Sequence, residues 1–321
     1  MKNILVTGSS GFIGGHLVRK LKAQGHYVVG VDIVLPKYDW ASKFYNIDLR
    51  NQKDCESIFI ENEQFDEIFN LACIMGGLGY IGLTEHSHDI MIGSTQIVAN
   101  VLDCAVKYNS KKYFQSSSAC VYNMNKQNET NSAALREVED FLPAQPDLMY
   151  GWQKICGELM AKSAQEQYGL DIRIARFHNI FGIEGIWDGG KEKYPAAITR
   201  KVIQANDGDT ITVWGDGKAV RSFLYIDECL EGIERLMNSG ITEPINIGSD
   251  ESISVTDLAK MVIEISGKEL CFHYDLSKPE GVRGRNSDNK MIQDKLGWKP
   301  NRPLREGMEK LYFWLNNQIN K

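Results

Sequence analysis

With 321 residues, 43% of them hydrophobic and 24% charged, the chain has more apolar surface to bury than one core takes, since single cores stop growing near about 250–300 residues. Its 36 Lys and Arg against 42 Asp and Glu leave a net charge of −6 with no basic run, which argues against nucleic acid as a general partner. No apolar run approaches the roughly 18 residues of a membrane span, and seven scattered cysteines without a CxxC pair exclude a disulfide framework or a zinc site of the usual spacing. The expectation is a cytoplasmic protein with reduced thiols, most of them packing residues, and no membrane partner.

Residues 3–8, 27–33, 67–72, 112–117 and 171–177 are short, β-branched and aromatic runs that read as buried parallel strands. Between them "FIGGHLVRKLKAQ", "GSTQIVANVLDCAVKY" and "YGWQKICGELMAKSAQEQY" place apolar residues at helical spacing. Strand and helix in alternation predict a doubly wound α/β sheet. After Asn179 the rhythm breaks into "GIEGIWDGGKEKYPAA", which starts a smaller second lobe, with a helix around 198–204. "RSFLYIDECLEGIERLM" and "EPINIGSD" then read as a helix and a strand returning to the first sheet; "SVTDLAKMVIEIS" and "PLREGMEKLYFWLNNQI" read as helices of the smaller lobe. The expected division is 1–177 with a returning segment at about 222–248, and 178–221 with 249–321.

Gly8, Gly11 and Gly14 form GxxGxxG between a strand and an amphipathic helix. Glycine is required where the chain turns sharply and where a diphosphate must approach the N–H groups of a helix start. Asp32 closes the second strand, placed to accept hydrogen bonds from an adenosine ribose, and its charge repels a 2′-phosphate, so NAD is expected rather than NADP. The alternative for each residue taken alone is a structural turn and a solvated carboxylate.

Tyr150 and Lys154 lie four apart on a predicted helix and so share one face. A free phenol, with a pKa of about 10, is a poor base at neutral pH; a neighbouring ammonium and a positive nicotinamide ring would both favour phenolate. Ser118, at the end of the fourth predicted strand, is placed to hydrogen-bond the same substrate oxygen. His86 and His88 form an HxH without a third ligand, which does not make a metal site.

This constellation, together with "RFHNIFG" (176–182) and "RSFLYIDE" (221–228), resembles the extended short-chain dehydrogenase/reductase superfamily along the whole chain. The resemblance implies a Rossmann-type sheet with a smaller C-terminal lobe that binds nucleotide sugar, and cofactor contacts from Phe12, Ile13, Asp48, Leu49, Leu71 and Ala72 beside the glycines, Asp32, Tyr150 and Lys154. It also implies a homodimer joined through helices at 93–108 and 150–168.

Within that superfamily "NLACIMGGLGYI", "SSACVY", "GGKEKYPAA", "WGDG", "RSFLYIDEC", "INIGSDE" and "EGVRGRNSDN" resemble the GDP-mannose 3,5-epimerase family in order and approximate spacing. That resemblance implies a GDP-sugar substrate, an acid/base pair of Cys120 and Lys193 on opposite faces of the sugar, a redox group of Ser118, Tyr150 and Lys154, and substrate contacts from Gly77, Asn179, Lys201, Arg221 and Arg285. Spacing alone does not choose between Lys191 and Lys193; the resemblance assigns Lys193.

The chemistry gives the thiol a reason to be there. An unactivated sugar C–H yields to no side-chain base, but a ketone at carbon 4 stabilises a carbanion at carbons 3 and 5. A thiol, expected to be lowered from about 8.5 by a cation and a helix start, then serves as base. A lysine lowered by burial returns the proton from the other side. A 4-epimerase leaves Cys120 and Lys193 unexplained, and a 4,6-dehydratase calls for an acidic pair where Ala119 and Cys120 stand. An enzyme acting on a GDP-heptose would look similar, whereas a silent NAD sensor has no use for Ser118, Tyr150 and Lys154.

Overall fold

The computed structural model describes residues 1–38, 40–131 and 134–321. In its first half, strands β1 (Asn3–Thr7), β2 (Tyr27–Asp32), β3 (Lys43–Asn46), β4 (Glu67–Asn70), β5 (Lys112–Ser118) and β6 (Asp171–Phe177) alternate with helices α1 (Phe12–Ala23), α2 (Gln52–Ile60), α3 (Leu78–Ile81), α4 (Ser94–Lys107) and α5 (Met149–Tyr168). The second half runs β7 (Ile180–Phe181), α6 (Tyr194–Gln204), β8 (Thr210–Trp214), β9 (Val220–Ser222), β10 (Leu224–Tyr225), α7 (Ile226–Met237), β11 (Ile245–Ile247) and β12 (Ser252–Ser254). It ends with α8 (Val255–Ser266), β13 (Cys271–Asp275), β14 (Gly284–Arg285), α9 (Lys290–Leu296) and α10 (Leu304–Ile319).

Seven strands form one sheet in the order β11-β6-β5-β4-β1-β2-β3, and every pairing in it is parallel. This is the doubly wound α/β fold. Its strands are apolar on both faces because both are covered: Ile4 and Val6 of β1 pack into a core with α1 and α7, and Leu5 packs into a second core with α2, α4 and α5. Strand order reverses between β1 and β4, so the crevice beyond their carboxyl ends is where such a sheet binds ligand. Smaller sheets, β12-β9-β14, β13-β8 and β10-β7, lie outside the large one.

Several short elements were not legible in the sequence, β3 and α2 among them. Strand β3 is an edge strand with no buried residue, so its pattern carries no apolar run. Helix α2 is short, and its start is fixed by Asn51, whose side chain accepts hydrogen bonds from the Lys53 and Asp54 N–H groups. The expectation about apolar runs also needs correction. Thr84–Lys107 is one continuous helical stretch of 24 residues that is long and apolar enough to match a membrane span, and half of its most apolar window is buried in the fold. Its apolar character is used there against α2 and α5, which it touches on either side.

Candidate active site

The glycine turn is built by steric necessity. Gly8 has φ +67°, and a side chain there would meet the Ala72 backbone at 3.0 Å. A Cβ on Gly14 would lie 2.0 Å from the Gly8 carbonyl oxygen, so the first turn of α1 rests directly on the turn before it. Gly11 caps α1 without a side-chain hydrogen bond, which leaves helix-start N–H groups for an anion. Phe12 and Ile13 open the helix. Asp32 faces the turn: its carboxylate accepts the Ser10 and Val34 N–H groups, each at 3.0 Å.

The next strand is tied to the first by one hydroxyl. Thr7 Oγ1 donates to Asn70 Oδ1 at 2.7 Å and accepts the Leu71 and Ala72 N–H groups at 3.0 Å. Leu71 and Ala72 therefore sit at the switch point beside Gly8, and Ser9 Oγ is buried there with no partner among the described residues. Asp48 turns onto Arg50, which holds its carboxyl below the usual range, and Leu49 is buried. The cradle, the helix start and the carboxylate together fit a dinucleotide.

The second half of the site is assembled from distant segments. At the end of β5, Ser118 Oγ accepts the Cys120 N–H at 3.2 Å and starts the 3-10 turn Ala119–Val121. Helix α5 brings Tyr150 against that turn, and the close approach depends on Gly151, where a Cβ would lie 2.3 Å from the Cys120 carbonyl oxygen. Cys120 and Tyr150 share a buried cluster with Ile90, lined also by Ile74, Tyr80, Ile81 and Leu148. Lys154 is buried and donates to the Ser116 carbonyl at 3.1 Å, with its ammonium 5.4 Å from the centre of the Tyr150 ring.

Lys193 is the residue before α6, and Gly77 brings a second loop against its neighbours: Gly77 N–H donates to Lys191 O at 2.9 Å, and a Cβ on Gly77 would lie 2.2 Å from Glu192 O. The two loop lysines diverge. Lys191 is exposed, its ammonium 4.5 Å over the Tyr80 ring, which stacks in turn on His86. Burial pushes the Lys193 ammonium below the ordinary lysine range, and Cys120, Cys229 and Cys73 pull it back. Of the two, Lys193 is the one within electrostatic reach of Cys120.

Two expectations about proton affinity are reversed in the protein by itself. Cys120 was expected below the usual thiol range; burial pushes it up, and Arg285, whose Nη1 donates to Cys120 Sγ at 3.2 Å, only partly offsets this. Tyr150 was expected to lean toward phenolate; burial pushes it well above the usual phenol range, Cys73 and Cys120 add to that, and a hydrogen bond with Ser118 opposes it. The common cause is desolvation, which penalises any anion in a closed apolar cluster.

Arg221 lies within electrostatic reach of Cys120 and Arg285, and burial with the neighbouring Arg285 brings it down to about 10. Its Nη1 donates to the Val220 carbonyl at 2.8 Å and its Nη2 to the Val282 carbonyl at 2.5 Å, so this cation has carbonyls rather than a carboxylate for partners. Asn179, at φ +25°, donates to the Ser222 carbonyl at 3.0 Å. Lys201 donates to the Thr212 carbonyl at 2.7 Å, and Arg176 is buried in an ion pair with Glu158 at 2.8 Å. Sequence reasoning missed Cys73, Gln127, Asp147 and Gly151. Only Cys73, next to Ala72 in the quoted "NLACIMGGLGYI", carried a signal, and it was read as packing.

A Rossmann-type sheet with a glycine cradle at the switch point and a Ser118, Tyr150 and Lys154 group beside it defines a class, the nicotinamide-dependent enzymes. Residues 4–248 match the model of the NAD dependent epimerase/dehydratase family, and the chain belongs to that family; NAD is its cofactor. It is 44% identical over 99% of its length to GDP-mannose 3,5-epimerase of Arabidopsis thaliana, covering 83% of that protein. It is 42% identical over 99% of its length to GDP-mannose 3,5-epimerase 1 of Oryza sativa subsp. indica, covering 82% of it. Among solved structures, UDP-glucose 4-epimerase from Thermotoga maritima superposes with a TM-score of 0.85 at 26% identity, with 99% of both chains covered.

Proposed function

We propose that this chain is an NAD-dependent 3,5-epimerase acting on GDP-mannose or a close GDP-sugar. Similarity at 44% over 99% of the chain supports it, and one observation carries it: Cys120 shares a buried cluster with Tyr150, and Lys193, from a separate segment, lies within electrostatic reach of that thiol. A simple 4-epimerase has no use for that pair.

When bound, NAD supplies the two-electron oxidation that makes carbon 4 a ketone and the reduction that restores the alcohol. Tyr150 holds the proton of the carbon 4 hydroxyl, Ser118 hydrogen-bonds the same oxygen, and Lys154 is anchored by Ser116 alongside the ring. Next to a ketone, the hydrogens at carbons 5 and 3 fall within reach of a modest base. Cys120 removes the proton from one face, and Lys193 delivers one to the other. Arg221 and Arg285 supply positive charge for the diphosphate and sugar, and the buried apolar wall excludes water from the carbanion.

The test is incubation with GDP-mannose in deuterated water, followed by NMR. The reading requires label at ring carbons 3 and 5 with carbon 6 untouched; label at carbon 6 identifies a dehydratase, and no label ends the proposal. Cys120→Ala should still transfer hydride yet lose exchange at carbon 5.

The same reading takes 1–177 with 222–248 as the nucleotide lobe, supported by β11 joining β6, and 178–221 with 249–321 as the sugar lobe. It places the enzyme in the cytoplasm, in keeping with seven free cysteines. It also makes the enzyme a homodimer through α4 and α5, whose neighbourhood leaves Ile92, Trp152 and Leu159 exposed. A monomer in sedimentation velocity at micromolar concentration would remove the dimer.

A further inference from the structure

Arg285 is 8% exposed, and all three of its nitrogens are engaged. Nε donates to Gln127 Oε1 at 2.6 Å, Nη1 to Cys120 Sγ at 3.2 Å and Nη2 to Asp147 Oδ2 at 2.9 Å. These acceptors come from three different stretches of chain, and only a planar fork reaches them together. Gln127 is completely buried and is itself held, donating to the Tyr122 and Asn123 carbonyls at 3.3 Å. The second oxygen of Asp147, Oδ1, is enclosed with no partner among the described residues. The carboxylate is therefore committed to Arg285 alone, at the cost of an unsatisfied acceptor.

The geometry points to Asp147 as a positioning residue: with Gln127 it aims the Arg285 guanidinium at Cys120 Sγ and, by neutralising part of that cation, sets how readily the sulfur gives up its proton. The inference rests on the proposed role of Cys120 as base. Arg285 favours the thiolate; Asp147 opposes it, in the same direction as burial. The other groups within electrostatic reach of the sulfur are Lys193 and Arg221, which are cationic, and Tyr150, with Ser118 bonded to the Cys120 N–H; the last two are neutral donors or acceptors. Asp147 is the carboxylate of that set, which makes its charge the natural control on the thiol.

The experiment follows alkylation of Cys120 by iodoacetamide against pH, resolved by peptide mass spectrometry, on the full chain with NAD bound. Asp147→Asn keeps the shape and an acceptor for Nη2 but removes the charge. Its alkylation midpoint should fall by about one pH unit, with the rate at neutral pH rising about tenfold. Arg285→Gln should raise the midpoint by about one unit, and Arg285→Lys should not restore it, because an ammonium cannot hold three acceptors in one plane. A purely structural role would lower the melting temperature and leave the midpoint in place. An Asp147→Asn midpoint that stays put or rises overturns the inference; if that variant does not fold, an unmoved midpoint in Arg285→Gln does the same. Alkylation needs no sugar, so the two readings separate. A midpoint that moves as expected in a protein that exchanges nothing from GDP-mannose upholds the positioning role and ends the functional proposal; an unmoved midpoint with normal exchange does the reverse.

Discussion

The two ends of the site solve different problems. At the glycine turn the work is done by backbone: Gly8 and Gly14 permit contacts that no side chain would allow, Thr7 ties β1 to the loop after β4, and Asp32 is fixed by two N–H groups. At the Cys120 end it is done by side chains whose protonation is shifted by burial and by one another. The first half holds a cofactor that ends the proposed cycle in the form in which it began, so the demand there is on fit. The second, in the proposed reaction, moves protons, so burial and neighbouring charges that shift protonation matter there.

That contrast can be broken at either end. The largest effect is expected from Tyr150→Phe, which keeps the ring in its cluster and removes only the hydroxyl. Turnover should fall by about 10³-fold, within the range for losing a general acid/base group, while NAD binding, read by fluorescence or calorimetry, changes little. A variant with full turnover would take proton transfer away from this end. Gly14→Ala should do the opposite: a methyl 2.0 Å from Gly8 O forces the turn and α1 apart, costing about 3 kcal/mol in denaturant unfolding and abolishing NAD binding. Unfolding and binding close to the parent's would show that the glycine cradle is not sterically required.

A smaller effect sharpens the comparison. His178 is completely buried, its Nε2 donates to Asn246 Oδ1 at 3.1 Å, and it is lowered from 6.5 to about 3, chiefly by burial. Its folded value lies below its unfolded one, so the stability it allows is complete above pH 6.5 and is lost as pH falls toward 3. Between pH 7 and pH 5 unfolding should become easier by about 2 kcal/mol. His178→Asn should flatten that slope in urea titrations at the two pH values; an equal slope in the variant would place the acid sensitivity elsewhere.

Much of this could be read along the chain. The five strand runs, the glycine triplet with Asp32, and Tyr150 with Lys154 are spaced by the periods of strand and helix, and those periods are local. The limits are as specific. The edge strand β3 lacked an apolar run, and Asp147 and Gln127 looked like ordinary loop residues in "AQPDLMY" and "MNKQNE". The direction of the Cys120 shift was expected wrongly because a cation was foreseen and its burial was not.

The sequence by itself determined the parallel sheet, the cofactor turn and the residue types available for catalysis, since each depends on neighbours a few positions away. Only the tertiary structure decided that Lys193 is buried near the thiol while Lys191 is exposed over Tyr80, that Arg285 reaches the sulfur while bonded to Asp147, and that the thiol and phenol are pushed up rather than down. Those outcomes depend on how much water is removed and on which distant charges remain in the closed space, quantities that exist only once the chain has folded.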